Sequence, residues 1–137
     1  IQTGGRMGYL AVVVAALGGF AFGAVWYGLL AKPWMAASGV KLGADGRPAN
    51  GSSPMPYAIS LLAMILVSGM MRHVFAQAQI HTFGEGLVSG LGVGAFFISP
   101  WIALNNGYTM RPVMLTAIDS GYAIIGCGII GAILTLF

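Results

Sequence analysis

The stretch Met7–Ala31, MGYLAVVVAALGGFAFGAVWYGLLA, contains no charged side chain. A helix of about 20 such residues crosses the hydrocarbon layer of a bilayer, so this segment alone argues for lipid as the solvent. The pattern repeats outward. Residues 48–71, 86–110 and 120–137 are also free of charge, and the six Lys/Arg and three Asp/Glu of the 137 residues fall between these blocks or near their ends. With 58% hydrophobic and 7% charged residues, a water-soluble core would leave large apolar patches exposed. The expected fold is an all-α membrane protein of four transmembrane helices, at about 8–30, 56–74, 84–106 and 113–137, in a single domain over 1–137. The connections Arg72–His81 and Asn105–Pro112 are short enough to force antiparallel neighbours, which implies an up-down-up-down bundle.

The first apolar stretch exceeds the roughly 7–15-residue core of a cleaved signal, so it reads as a retained helix. Ile1–Gly5 reads as a processed or trimmed end. The connection 31–55 holds Lys32, Lys41, Asp45, Arg47, Asn50, Ser52, Ser53 and Pro54 with several glycines, a composition that turns often and buries little. It is expected to be an exposed aqueous loop, apart from an interfacial turn at Lys32-Pro33-Trp34-Met35. Trp26, Trp34 and Trp101 are the candidate interface anchors, since indoles favour headgroup depth.

In lipid, helices associate through close backbone approach at small residues. Gly19 and Gly23 stand four apart in the first span, and Gly86, Gly90 and Gly94 repeat that spacing in the third. Each set forms one helical face and is a candidate packing seam, within the monomer or between copies.

Asp119 has the sharpest meaning, because a carboxylate inside the fourth apolar block is costly unless it faces protein. Thr116 and Tyr122 share its helical face. The bundle brings Tyr27, Lys32, Asn105, Asn106, Tyr108 and Arg111 to the same end, so the candidate polar cluster is Asp119, Arg111, Asn105, Asn106, Lys32, Tyr27 and Tyr122. Arg111 is eight residues away, about 12 Å along a helix, and must fold inward to reach the carboxylate. Asp119 is either a structural acceptor tying helices together, the favoured reading, or a proton- or cation-coupling group. Glu85 sits where a carboxylate complements a helix N-terminus.

His73 and His81 read as interface residues and not as haem or chlorophyll ligands, since they flank a turn. Cys127 is a lone packing residue with no thiol partner. No cofactor and no metal are implied, and no phosphate loop, nucleophile elbow or metal-ligand spacing marks an enzyme. The formal charge of +3 sits at span ends, where Lys and Arg meet lipid headgroups, so no nucleic-acid partner is expected.

Gly8-Tyr9-Leu10-Ala11, Gly23-Ala24-Val25-Trp26-Tyr27, Lys32-Pro33-Trp34-Met35, Asn105 and Asn106 with Arg111-Pro112, and Ile118-Asp119-Ser120-Gly121-Tyr122 together resemble an uncharacterised bacterial membrane family, domain of unknown function 1761. That resemblance implies a small four-helix protein of the bacterial inner membrane and no particular reaction. The expected function is a non-enzymatic accessory or structural subunit, with partners in the bilayer, other membrane subunits or itself. The alternative is a small transporter or ion-coupled carrier using Asp119, with a membrane enzyme third. Counting cations places both termini outside the cytoplasm, by a narrow margin.

Overall fold

A computed structural model describes residues 5–137, with side chains from Gly8 onward. The trimmed-end reading of Ile1–Gly5 falls, except for Gly5, outside the described residues. These residues form five helices: α1 Gly5–Leu29, α2 Ala31–Ser38, α3 Met55–Gln77, α4 Phe83–Tyr108 and α5 Val113–Leu134. Four are long and apolar enough to cross a membrane. The shortest of the four, α5 with 22 residues, reaches about 33 Å at a rise of 1.5 Å per residue, which exceeds the roughly 30 Å of hydrocarbon. The described residues contain no strand beyond one isolated bridge between Leu42 and Pro48.

The 31–55 segment corrects the expectation of a loop with a single interfacial turn, because α2 occupies its first eight residues. Trp34 N–H donates to the Leu30 carbonyl at 2.9 Å, so the chain resumes helical bonding one residue after α1 ends. Pro33 is tolerated because it lies in the first turn, where its missing N–H has no helical acceptor to satisfy. Gly39, at φ 67°, ends α2 by donating its amide to the Met35 carbonyl at 3.3 Å, a left-handed cap that suits glycine.

α3 and α4 stop by a shared device. Ile80 N–H reaches back to the Phe75 carbonyl and Arg111 N–H to the Asn106 carbonyl, each at 2.9 Å, with Gln79 and Met110 left-handed at φ 57° and 56°. α4 begins with a reciprocal cap: Glu85 N–H donates to Thr82 Oγ1, while Glu85 Oε1 accepts from the Thr82 and His81 amides, all at 3.2 Å. The box satisfies amides that a helix start leaves open.

Within α4, Gly94–Ile98 form a π-helical turn. Pro100 follows it and has no N–H to donate, and Ser99 Oγ donates to the Gly94 carbonyl at 2.7 Å. The wider turn admits the extra residue where proline would weaken an ordinary ladder.

α5 is the central helix, packed along α4 and α1, while α3 lies mainly on α1. Gly86 faces Gly131, Gly90 faces Cys127 and Gly128, and Gly94 faces Ala123 and Ile124, so α4 and α5 run in opposite directions with backbone against backbone. On the other side of α5, Gly18 and Gly19 receive Ile133 and Ile130, and Gly23 receives the Tyr122 ring. α3 meets α1 through Ser68, which is fully buried and donates to the Val12 carbonyl at 2.9 Å. The apolar core, built from Ala11, Ala15, Met71, Phe75, Cys127, Ile130 and Leu134, gathers toward the end formed by the start of α1, the end of α3 and the end of α5. The opposite end is aromatic and polar.

Candidate functional site

At that opposite end Asp119 lies six residues into α5, about 9 Å along the helix, and is half-buried. Tyr27, two residues from the end of α1, donates its hydroxyl to Asp119 Oδ1 at 2.7 Å. That length suits an O–H donor on a charged acceptor. One turn further along α5, Tyr122 donates to the Gly19 carbonyl at 3.1 Å and lies 3.4 Å from the Met64 sulfur. Tyr122 shares a helical face with Asp119 but spends its hydroxyl on α1. Both tyrosines therefore lock α1 to α5, one through a side chain and one through the backbone.

Aromatic packing surrounds the pair. The Tyr27 ring sits edge-on to Tyr122, with centroids 5.4 Å apart, and edge-on to Trp34 of α2 at 6.0 Å. Phe22 bridges Trp26 at 5.7 Å and Tyr122 at 6.1 Å. Phe22 and Tyr122 are stacked and the other pairs tilted or edge-on, arrangements that suit the ring quadrupole. Trp26 donates Nε1 to the Ile118 carbonyl at 2.9 Å, and its six-membered ring lies where a Cβ on Gly121 would sit. Trp26, expected as an interface anchor, thus also ties α1 to α5: its indole N–H finds a carbonyl inside the bundle, one residue before Asp119. Trp34 is half-buried against Tyr27, and Trp101 is 67% exposed on the outer face of α4.

The polar cluster is also smaller than the sequence suggests. Arg111 donates to the Ser38 carbonyl at the end of α2 and does not fold inward, because that acceptor lies beside it at the surface. Asn106 donates to Thr116 at 3.0 Å, one turn short of Asp119. Lys32, Asn105 and Tyr108 are exposed. Among the described residues no Lys or Arg pairs with Asp119, and Tyr27 is its hydrogen-bond donor. Ser120, beside it, has a hydroxyl oxygen shut off from solvent and without a partner.

The expected packing glycines all lie at helix seams, with Gly19, Gly23, Gly86, Gly90 and Gly94 buried. His73 and His81 are exposed, and among the described residues no three His, Cys, Asp or Glu side chains come together as a metal site. Sequence reasoning missed Phe22, although its spacing of four from Trp26 places both on one face, and it missed the Ser38–Arg111 tie, which has no local signature.

Chemically, the site is a carboxylate with one phenolic donor, walled by rings, at the end of a span. It ties three helices and offers a place for a proton or a cation. A family described as a protein of unknown function, DUF1761, matches residues 10–135, nearly the whole chain and every residue of the Asp119 site. No curated protein and no solved structure matches the chain. This multi-pass membrane protein therefore belongs to the DUF1761 family.

Proposed function

We propose that the protein is a non-enzymatic subunit of a larger membrane assembly, docking through the outer faces of α3 and α4. The observation that carries this reading is the uneven use of the four spans. α5 and α1 bury 44% and 33% of their most apolar windows within the chain, whereas α3 and α4 bury 17% and 11%. α3 turns outward Ile59, Leu62, Leu66 and Met70, and α4 turns outward Phe96, Phe97, Trp101 and Leu104. Because the α4 glycines are already spent on α5, docking would use these larger side chains. On this reading the Asp119–Tyr27 bond is a structural lock, the membrane is the bacterial inner membrane, the spans alternate up and down, and nucleic acid plays no part.

Photocrosslinking in native membranes tests this. A photoreactive residue at Leu66 or Phe97 should give one reproducible protein adduct, and the same adduct should survive purification in mild detergent. Crosslinks only to lipid, together with a lone 14.1 kDa species, would overturn the reading.

A second reading, a proton- or cation-coupled carrier, is supported by the Asp119 carboxylate accepting from Tyr27 and, among the described residues, from no Lys or Arg. Flux driven by a pH gradient in proteoliposomes, abolished by Asp119→Asn, would favour it over the first.

A further inference from the structure

We propose that the end of the protein carrying α2, the connection 39–54 and the turn 109–112 binds anionic phospholipid headgroups. This surface is separate from the Asp119 lock and from the outer faces of α3 and α4.

Four exposed cations sit at this end: Lys32, Lys41, Arg47 and Arg111. The hairpin that follows α2 arranges two of them. Ala49 N–H donates to the Lys41 carbonyl at 2.8 Å and Gly43 N–H to the Arg47 carbonyl at 2.7 Å, with Leu42 bridged to Pro48 between them. Alternate residues of paired strands share a face and cross-strand partners point the same way, so Lys41 and Arg47 project from one side of the hairpin and Leu42 and Pro48 from the other. Arg111 is tied to the Ser38 carbonyl, three residues before Lys41, which sets a third cation at the base of the hairpin.

Two acids lie at this end against the four cations. Asp45 turns its carboxylate to the Arg47 backbone amide at 3.0 Å, and Asp119 accepts from Tyr27 inside the bundle. Among the described residues, neither of these two carboxylates forms an ion pair with the side chains of Lys32, Lys41 or Arg47. Trp34, half-buried against Tyr27, keeps α2 beside the ends of the spans and so at headgroup depth. Unpaired cations at that depth face the negative potential of an anionic leaflet, and a phosphodiester is the acceptor that both Lys and Arg recognise there.

The test uses the full chain in nanodiscs of mixed phosphatidylglycerol and phosphatidylcholine, with native mass spectrometry counting the lipids retained. Wild type should retain phosphatidylglycerol in preference to phosphatidylcholine, with the preference falling as salt rises. Lys32→Gln, Lys41→Gln and Arg47→Gln should each lower it by about fivefold. Arg72→Gln, at the end of α3 on the other side of the bundle, should leave it unchanged. Among the described residues the side chains of Lys32, Lys41 and Arg47 make no hydrogen bond that holds the fold, so the thermal stability of each variant should stay at the wild-type value. Equal retention of the two lipids by wild type, unchanged retention by all the Gln variants, or an equal loss from Arg72→Gln would overturn the proposal.

Discussion

Gly90→Ala places one methyl group in the tightest part of the seam between α4 and α5. The new carbon would fall inside the contact distance of the Cys127 carbonyl oxygen, 2.9 Å from that residue's carbonyl carbon and 3.0 Å from the Gly128 Cα. Ordinary van der Waals contact begins at 3.4 Å, so the helices must part by about half an ångström or more, a gap that forfeits roughly a quarter or more of the dispersion well at each atom pair in the seam. No rotamer can move aside, because the obstacle is backbone. Overpacking costs about 1–3 kcal/mol, and this site belongs near the upper end. Alanine also returns about 1 kcal/mol of helix propensity relative to glycine, so the clean comparison is Gly92→Ala, where nothing lies within 4 Å. Propensity is common to both variants, and the difference between them isolates the seam. Reversible unfolding in mixed micelles should find Gly90→Ala less stable than Gly92→Ala by about 3 kcal/mol. Equal stability of the two variants would refute the backbone-to-backbone seam.

Other expectations follow from single contacts. Tyr27→Phe removes the donor on Asp119 and should cost about 1.5–3 kcal/mol, the range for hydrogen bonds to charged groups; Asp119→Asn, which keeps an acceptor, should cost less than Asp119→Ala in the same unfolding assay. Ser68→Ala loses the bond to the Val12 carbonyl but keeps the small interface, so a loss of only about 0.6 kcal/mol is expected, the average for interhelical bonds in a membrane. Met110→Gly should stabilise, by up to about 1 kcal/mol, because glycine relieves the left-handed strain that ends α4. Amide exchange followed by NMR should show Gly43 and Ala49, which donate across the hairpin to the Arg47 and Lys41 carbonyls, slower than Leu42, Ala44 and Asn50 beside them.

The four spans were legible because lipid leaves so few places for charge: Lys32, Arg72, Glu85 and Arg111 mark the block ends in any reading of the chain. The start of the 31–55 segment reads as a turn because Lys-Pro-Trp-Met suits headgroup depth in either conformation, and the eight residues of α2 give too little periodicity to tell a short helix from a turn. Asp119 and Tyr27 were legible as members of one site, since the end of α1 must meet the start of α5 if their apolar blocks pack in opposite directions. Their selection from seven candidates was not. Whether Arg111 folds inward depends on the Ser38 carbonyl, a backbone atom whose position is set by α2. Trp26 reads as an interface anchor by composition, and its bond to the Ile118 carbonyl has no signature in the sequence. The π-turn in α4 left only Ser99-Pro100 as a clue, and that pair is equally at home in an ordinary helix.

That turn divides α4 into two addresses. An extra residue in one helical turn rotates everything after it by about 100° relative to everything before, so the two halves of the span obey different phases. The first half docks by its glycines, with Gly86, Gly90 and Gly94 buried, while the second half, from Ser99 to Tyr108, buries no residue. Asn106 nevertheless meets Thr116 from that second half. With one residue fewer, a regular helix keeping its glycines on α5 would point a different side chain at Thr116 and present a different outer surface. The glycine seam and the outer face thus follow separate phases along a single rod: outward residues after the turn, such as Trp101 and Leu104, can change what the protein shows its surroundings while Gly86, Gly90 and Gly94 keep their seat on α5.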